Sequence, residues 1–169
     1  MEIQKVYLDM DGVLADFDRG VKELCHLQPT SQNKERDDAQ DDRMWAAIRQ
    51  IGHFYGKLSL MPGAKEMFDR SYEQFGDRVE VLTGVPKANR GIETAGEDKI
   101  EWMKKHLSDK VRMNIVLRKE KKNYCTGPES VLIDDREDTI LEWRNLGGTG
   151  ILHIDPAETL GILWELIGR

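Results

Sequence analysis

Apolar residues in this chain fall into short unbroken runs alternating with helical stripes. The first run, Val6-Tyr7-Leu8, has strand character and delivers Asp9 and Asp11, two carboxylates at spacing two, where Gly12 lets the chain turn. Phe17, Val21, Leu24 and Cys25 then recur at helical spacing and predict an amphipathic helix. The pattern dissolves over residues 29–43, which are nearly all polar. The acidic cluster there, Asp37, Asp38, Asp41 and Asp42, reads as a solvated loop and helix start rather than a second metal site. Trp45, Ile48 and Ile51 resume a helix that Gly52 ends, and Phe54, Tyr55, Leu58 and Leu60 follow without clear period up to Pro62-Gly63.

Ala64, Met67, Phe68, Tyr72 and Phe75 trace a further helix, with Gly76 in the place of a C-terminal cap. Residues 78–83 predict a second strand, Ile100, Met103 and Leu107 a helix, and residues 113–117 a third strand. Val131-Leu132-Ile133 predicts a fourth that runs straight into Asp134-Asp135. Ile140, Trp143 and Leu146 mark the next helix, Gly147-Gly148 leads into a fifth strand at residues 151–154, and Asp155, Pro156 and Glu158 form a box-like start for the last helix.

Strands alternating with helices imply parallel pairing through right-handed crossovers, hence an α/β fold with a Rossmann-like parallel five-stranded sheet between helices. About 65 residues separate the first two strands, several times what one crossover needs, so a small helical cap is expected to be inserted after strand 1. The expected division is a core of residues 1–17 and 76–169 and a cap of residues 18–75. A chain of 169 residues suits one domain with such an insert. With 25 basic against 31 acidic side chains, the balance argues against nucleic acid polymers and anionic membrane surfaces as general partners. No apolar run approaches a membrane span and no signal segment precedes the first strand, so a cytoplasmic location is expected. Cys25 and Cys125 lack metal-ligand spacing and read as reduced thiols.

The carboxyl ends of the strands carry the chemistry. In order they offer Asp9 and Asp11, then Thr83 with Gly84, then a lysine cluster at residues 119–122, then Asp134 and Asp135. Singly, each has an ordinary explanation: a β-forming threonine, a solvated basic loop, a helix cap, a hairpin turn at Asp11-Gly12. A calcium loop is excluded because Val13 and Leu14 stand where that pattern needs an oxygen ligand and glycine. Together, however, the groups are what phosphoryl transfer requires: a hard cation held by carboxylates, a carboxylate nucleophile, a proton carrier, and donors for the phosphoryl oxygens.

The motifs Asp9-Met10-Asp11-Gly12-Val13-Leu14, Val81-Leu82-Thr83, a lysine after strand three, and Leu132-Ile133-Asp134-Asp135 resemble those of haloacid dehalogenase (HAD) superfamily phosphatases. More narrowly, the stretch 9–17 ending in Phe17, Leu60-Met61-Pro62-Gly63-Ala64, Lys99-Ile100-Glu101-Trp102 and Leu132-Ile133-Asp134-Asp135-Arg136 resemble the 5'(3')-deoxyribonucleotidase group. The resemblance implies a HAD-like core with Asp9 as nucleophile, Asp11 as general acid/base, and Thr83 and Gly84 as phosphate binders. It implies Mg2+ bound by Asp9, the Asp11 carbonyl and Asp134, with Asp135 as a further ligand or a support behind it. Lys121 fits the family's lysine best, with Lys119 and Lys122 as competitors.

The activity implied is a magnesium-dependent phosphomonoester hydrolase working through an aspartyl-phosphate, a 5'-nucleotidase on (deoxy)nucleoside monophosphates. Phe17, Phe54 and Tyr55 are the expected substrate-pocket residues, aromatic faces on which a base could stack; core packing is the plainer reading of the same residues. The alternatives are a general small-molecule, sugar phosphate HAD phosphatase and a non-catalytic phosphate-binding module of the same fold. A receiver domain fits less well, since its phosphoacceptor ends the third strand, where this chain has a basic loop. The partner expected is a small-molecule phosphomonoester, with a homodimer left open.

Overall fold

The computed structural model describes residues 1–32 and 37–169; residues 33–36, within the polar stretch, lie outside the described residues. Its centre is a five-stranded sheet, all parallel, with strand order β3-β2-β1-β4-β5. The strands are β1 (Lys5–Leu8), β2 (Val79–Gly84), β3 (Arg112–Val116), β4 (Ser130–Asp134) and β5 (Thr149–Leu152). The helices are α1 (Phe17–Cys25), α2 (Asp38–Gln50), α3 (Ala64–Phe75), α4 (Ala95–His106), α5 (Glu137–Asn145) and α6 (Pro156–Leu166).

Alternation along the buried strands divides the core into two layers. Val6, Leu8, Val79, Val81, Val131 and Ile133 share one cluster with residues of α3, α4 and α6, including Met67, Phe68, Trp102 and Leu163. Tyr7, Leu82 and Leu132 point to the opposite face, where α5 supplies Ile140 and Trp143. Tyr7 meets both Tyr124 and Trp143 edge to face, with ring centroids 5.8 Å apart in each pair. The layers are those the strand–helix alternation predicts. The fifth strand begins two residues early, because Thr149 and Gly150 already pair with Val131 and Leu132 while Ile154 is exposed.

The helix starts follow local side-chain chemistry. Asp37 caps α2 through a reciprocal box with Gln40, so the acidic run opens this helix as expected. Asp155 accepts from the Glu158 amide at 2.9 Å and Pro156 occupies the first turn of α6. Gly76 ends α3 with a positive φ of 56°.

The long connection between β1 and β2 leaves and re-enters the core through a narrow neck. Asp16 N donates to Ser59 O and Met61 N to Leu14 O, both at 2.8 Å, with Ala15 and Leu60 bridged antiparallel. Between these crossings lie α1, α2 and a 3-10 turn over Phe54–Lys57. Gly20 allows α1 to close on this turn, since a β-carbon there would collide with Leu58 and press on Phe54. α3, at the end of the expected insert of residues 18–75, buries Ala64, Met67 and Phe68 and packs on β2 and α6. Among the described residues no helix is long and apolar enough to cross a membrane.

Candidate active site

In an open parallel sheet a crevice forms outside the carboxyl ends of the strands where successive connections leave in opposite directions. Here that point lies between β1, whose connection leads to β2 on one side, and β4, whose connection leads to β5 on the other. Leu8 is in register with Ile133, and Asp9 N donates to Ile133 O at 2.9 Å, so Asp9 emerges beside Asp134. Oxygens of Asp9, Asp134 and Asp135 all lie within 4.8 Å of one another.

Three like charges this close repel strongly unless cations intervene. Lys121, in the 3-10 turn Arg118–Tyr124 that follows β3, supplies one: its buried Nζ donates to Asp9 Oδ1 at 2.9 Å and to Asp134 Oδ2 at 2.8 Å. Burial works against that ammonium, but the two carboxylates outweigh it and hold the lysine above its ordinary value. Of the three lysines that the sequence leaves open, Lys119 and Lys122 are exposed and Lys121 is buried. Asp134 uses its other oxygen to accept from Arg136 N at 2.9 Å. Burial and the neighbouring Asp9 nevertheless keep Asp134 above the usual carboxylate range.

One lysine does not balance the cluster. Burial, followed by the charges of Asp9, Asp134 and Asp11, pushes the Asp135 carboxyl up to about 8, although the residue also has an exposed side. The donor set is entirely oxygen, crowded and short of positive charge, which fits a hard divalent cation such as Mg2+. Gly12 makes room for this arrangement. Its φ is +82°, and a β-carbon on it would coincide with the Asp135 carboxylate.

Asp11 sits apart from Lys121 and is served by a second buried lysine. Lys99, on α4, donates from Nζ to Asp11 Oδ2 at 2.9 Å, to Thr83 Oγ1 at 2.8 Å and to the Gly84 carbonyl at 2.8 Å. Asp11 Oδ1 is buried and has no hydrogen-bond partner among the described residues. Thr83 and Gly84, the expected phosphate binders, end β2 beside this group, and Thr83 is fully buried. Lys99 was not among the residues singled out for chemistry from the sequence, where the predicted apolar stripe of this helix is Ile100, Met103 and Leu107. The buried face is instead Ala95, Lys99, Trp102 and Met103, with Asp98 beside it, while Ile100 and Leu107 are only half-buried. A lysine on the stripe of the most buried positions is the signal that could have found it.

The aromatic residues are together but largely enclosed. Phe17 packs on Trp45, Phe54 and Tyr55 with centroids 5.9, 5.7 and 6.1 Å away. Phe54 and Tyr55 are each 1 % exposed and occupied edge to face with one another, so neither offers an open face for stacking. The turn 54–57 packs onto α4, where burial of two rings outweighs keeping them at the surface. Phe17 and Trp45 keep partly exposed surface. Burial and the Asp11 charge hold the Tyr55 hydroxyl well above its ordinary value. Of the histidines, His153 lies buried behind Asp134, its amide donating to Asp134 O at 2.8 Å and its Nδ1 2.7 Å from Thr159 Oγ1, a structural position.

A parallel sheet of this order, with paired acids after β1, a hydroxyl after β2, a buried lysine after β3 and paired acids after β4, has the architecture of HAD superfamily phosphatases. Known structures share it. A hydrolase from Pseudomonas syringae is 17 % identical, covering 96 % of this chain and 98 % of its own, with a TM-score of 0.56. A haloacid dehalogenase-like family hydrolase from Streptococcus pneumoniae is 12 % identical over 95 % and 98 % of the two chains, with a TM-score of 0.59. No curated protein sequence matches the chain. The family model for 5' nucleotidase, deoxy (pyrimidine), cytosolic type C protein matches residues 2–159, and the chain belongs to that family. It is a phosphatase enzyme of the HAD type.

Proposed function

We propose that the protein is a magnesium-dependent hydrolase of nucleoside 5'-monophosphates, working through an aspartyl-phosphate on Asp9. The observation that carries this reading is the pairing of two acid–lysine groups at one crevice: Asp9 and Asp134 across Lys121, and Asp11 across Lys99 with one oxygen left unpartnered. Mg2+, held by the carboxylates of Asp9, Asp134 and Asp135 and the Asp11 carbonyl, would neutralise charge on the phosphoryl oxygens. Asp9 attacks phosphorus through a carboxylate oxygen, a bond forms between them, and the ester P–O bond breaks. Asp11 gives its proton to the departing nucleoside oxygen. It then takes a proton from water, which attacks phosphorus, breaks the bond to Asp9 and releases inorganic phosphate. Lys121 holds the Asp9 and Asp134 side chains in place throughout.

Family membership supports nucleotides as the substrate class, and the partly exposed Phe17 and Trp45 are the aromatic surfaces that could meet a base. Enclosure of Phe54 and Tyr55 favours a second reading, a small-molecule phosphatase of broad range, because it removes two of the three expected stacking faces. We take the cap that decides between them to be residues 16–59, between the neck crossings.

The test compares kcat/KM for deoxynucleoside monophosphates and for sugar phosphates of equal charge, with magnesium and in chelator. Stacking on an aromatic side chain contributes about 1–3 kcal/mol, so nucleotides should be preferred by roughly ten- to a hundredfold and Phe17→Ala should erase most of that. Equal constants in the parent protein would make it the general phosphatase. Full turnover after exhaustive metal removal would overturn the magnesium requirement.

A further inference from the structure

Lys99 is fully buried, and each of its three N–H donors is taken. The Gly84 carbonyl and the Thr83 hydroxyl hold it from the end of β2, and the Tyr55 ring from the insert lies under it with Nζ 4.7 Å from the centroid. That leaves one bond, to Asp11 Oδ2. An ammonium with no donor to spare is not built to grip a phosphate. Nor is a buried ion pair of this kind retained for stability alone, since well-packed apolar groups serve at least as well.

We propose that Lys99 is a positioning residue: by clamping Oδ2 it fixes the Asp11 carboxyl, whose side chain keeps 28 % exposure, against the ester oxygen of the substrate and then against water. This deepens the acid/base reading of Asp11 given above and rests on it. A carboxylate on a loop turns freely about its side-chain bonds, and a misplacement of about 1 Å can cost on the order of a hundredfold in rate. Here the turning is stopped from a point fixed by three separate elements: the strand β2, the helix α4 and the turn 54–57 of the insert. The other oxygen, Oδ1, is thereby kept buried and unpartnered, a state a mobile side chain would leave by finding another donor.

The experiment uses leaving groups. The constant kcat/KM covers the steps up to formation of the aspartyl-phosphate, in which the ester oxygen departs. A 4-nitrophenolate departs without a proton, whereas a nucleoside alkoxide needs one. Lys99→Met should lower kcat/KM for an alkyl phosphate on the order of a hundredfold and for 4-nitrophenyl phosphate by less than about tenfold. Added to Asp11→Asn, it should cost little more, since residues acting through one group are not additive. Equal losses on both esters, or an additive loss in the double variant, would overturn the inference while leaving Asp11 its role. If Asp11→Asn itself falls equally on both esters, the acid/base reading fails and takes this inference with it. Should Lys99→Met not fold, Lys99→Gln keeps a donor for the hydroxyl or carbonyl while removing the charge, and the same comparison of esters decides.

Discussion

Asp135 is where the charge balance of the crevice can be measured. Its carboxyl is pushed up to about 8 from an ordinary 3.8 by burial and by Asp9, Asp134 and Asp11. An acid raised in the folded state keeps a proton that the unfolded chain has already released, so stability falls as pH climbs from the unfolded value to the folded one. The window therefore runs from about 4 to about 8, and below it the residue costs nothing. For a group sealed from water that shift would amount to roughly 6 kcal/mol. Asp135 has an exposed side, and solvent screening reduces the figure to on the order of 1–2 kcal/mol. For a chain of this length that is about 2–8 °C in Tm. The assay is thermal unfolding of metal-free wild type and Asp135→Asn across this range. The two should coincide near pH 4.5 and separate as pH rises, with the variant the more stable by that margin at pH 8. Saturating Mg2+ should then raise the wild type more than the variant, because a cation gains from the ionised acid. Melting curves that run parallel from pH 5 to 8 in chelator would refute the charge argument.

Asp9→Asn should leave essentially no turnover, whereas Asp11→Asn should still form the aspartyl-phosphate from 4-nitrophenyl phosphate and break it down slowly; trapping the acid-stable protein-bound phosphate by mass spectrometry separates the two. Lys121→Ala leaves Asp9 and Asp134 buried without their counter-charge, and should cost about 3–5 kcal/mol in denaturant unfolding as well as most activity, while Lys119→Ala and Lys122→Ala, both at exposed positions, change neither measurably. Gly12→Ala should lower both Tm and magnesium affinity in isothermal titration, since its β-carbon displaces the Asp135 carboxylate from a backbone already at φ +82°; unchanged magnesium affinity would mean that Asp135 is not a ligand.

The sheet and both ends of the crevice were legible because they depend on local pattern. Val6-Tyr7-Leu8 and Val131-Leu132-Ile133 are fully apolar, as a strand buried on both faces must be, and each runs directly into its pair of acids. Lys121 was one of three near neighbours in sequence, and only the 3-10 turn decides which of them faces inward. The insert was harder to read. Its polar stretch shows no period until Asp37 caps α2, and its exit depends on pairing between Ala15 and Leu60, residues far apart in sequence whose contact no local signal announces. Phe54 and Tyr55 look the same in sequence whether they face a substrate or a helix, and α4 decided that as well.

Two lysines for two central acids is a division that follows from what each acid is asked to do. Asp9 must present an oxygen to phosphorus, and Lys121 bridges it to Asp134, so one ammonium holds both carboxyl groups in place. Asp11 must both give and take a proton, and a lysine that bound both its oxygens would hold it permanently as a carboxylate. Lys99 instead reaches only Oδ2 and spends its other donors on the neutral oxygens of Thr83 and Gly84, leaving Oδ1 unpaired. The two lysines arrive from different directions, one from the turn after β3 and one from α4, which is why neither can substitute for the other by changing rotamer. Because Tyr55 touches Lys99 from the insert, the insert is also packed against the lysine that orients the proton carrier, and substitutions at Tyr55 should be felt at Asp11 before they are felt at Asp9.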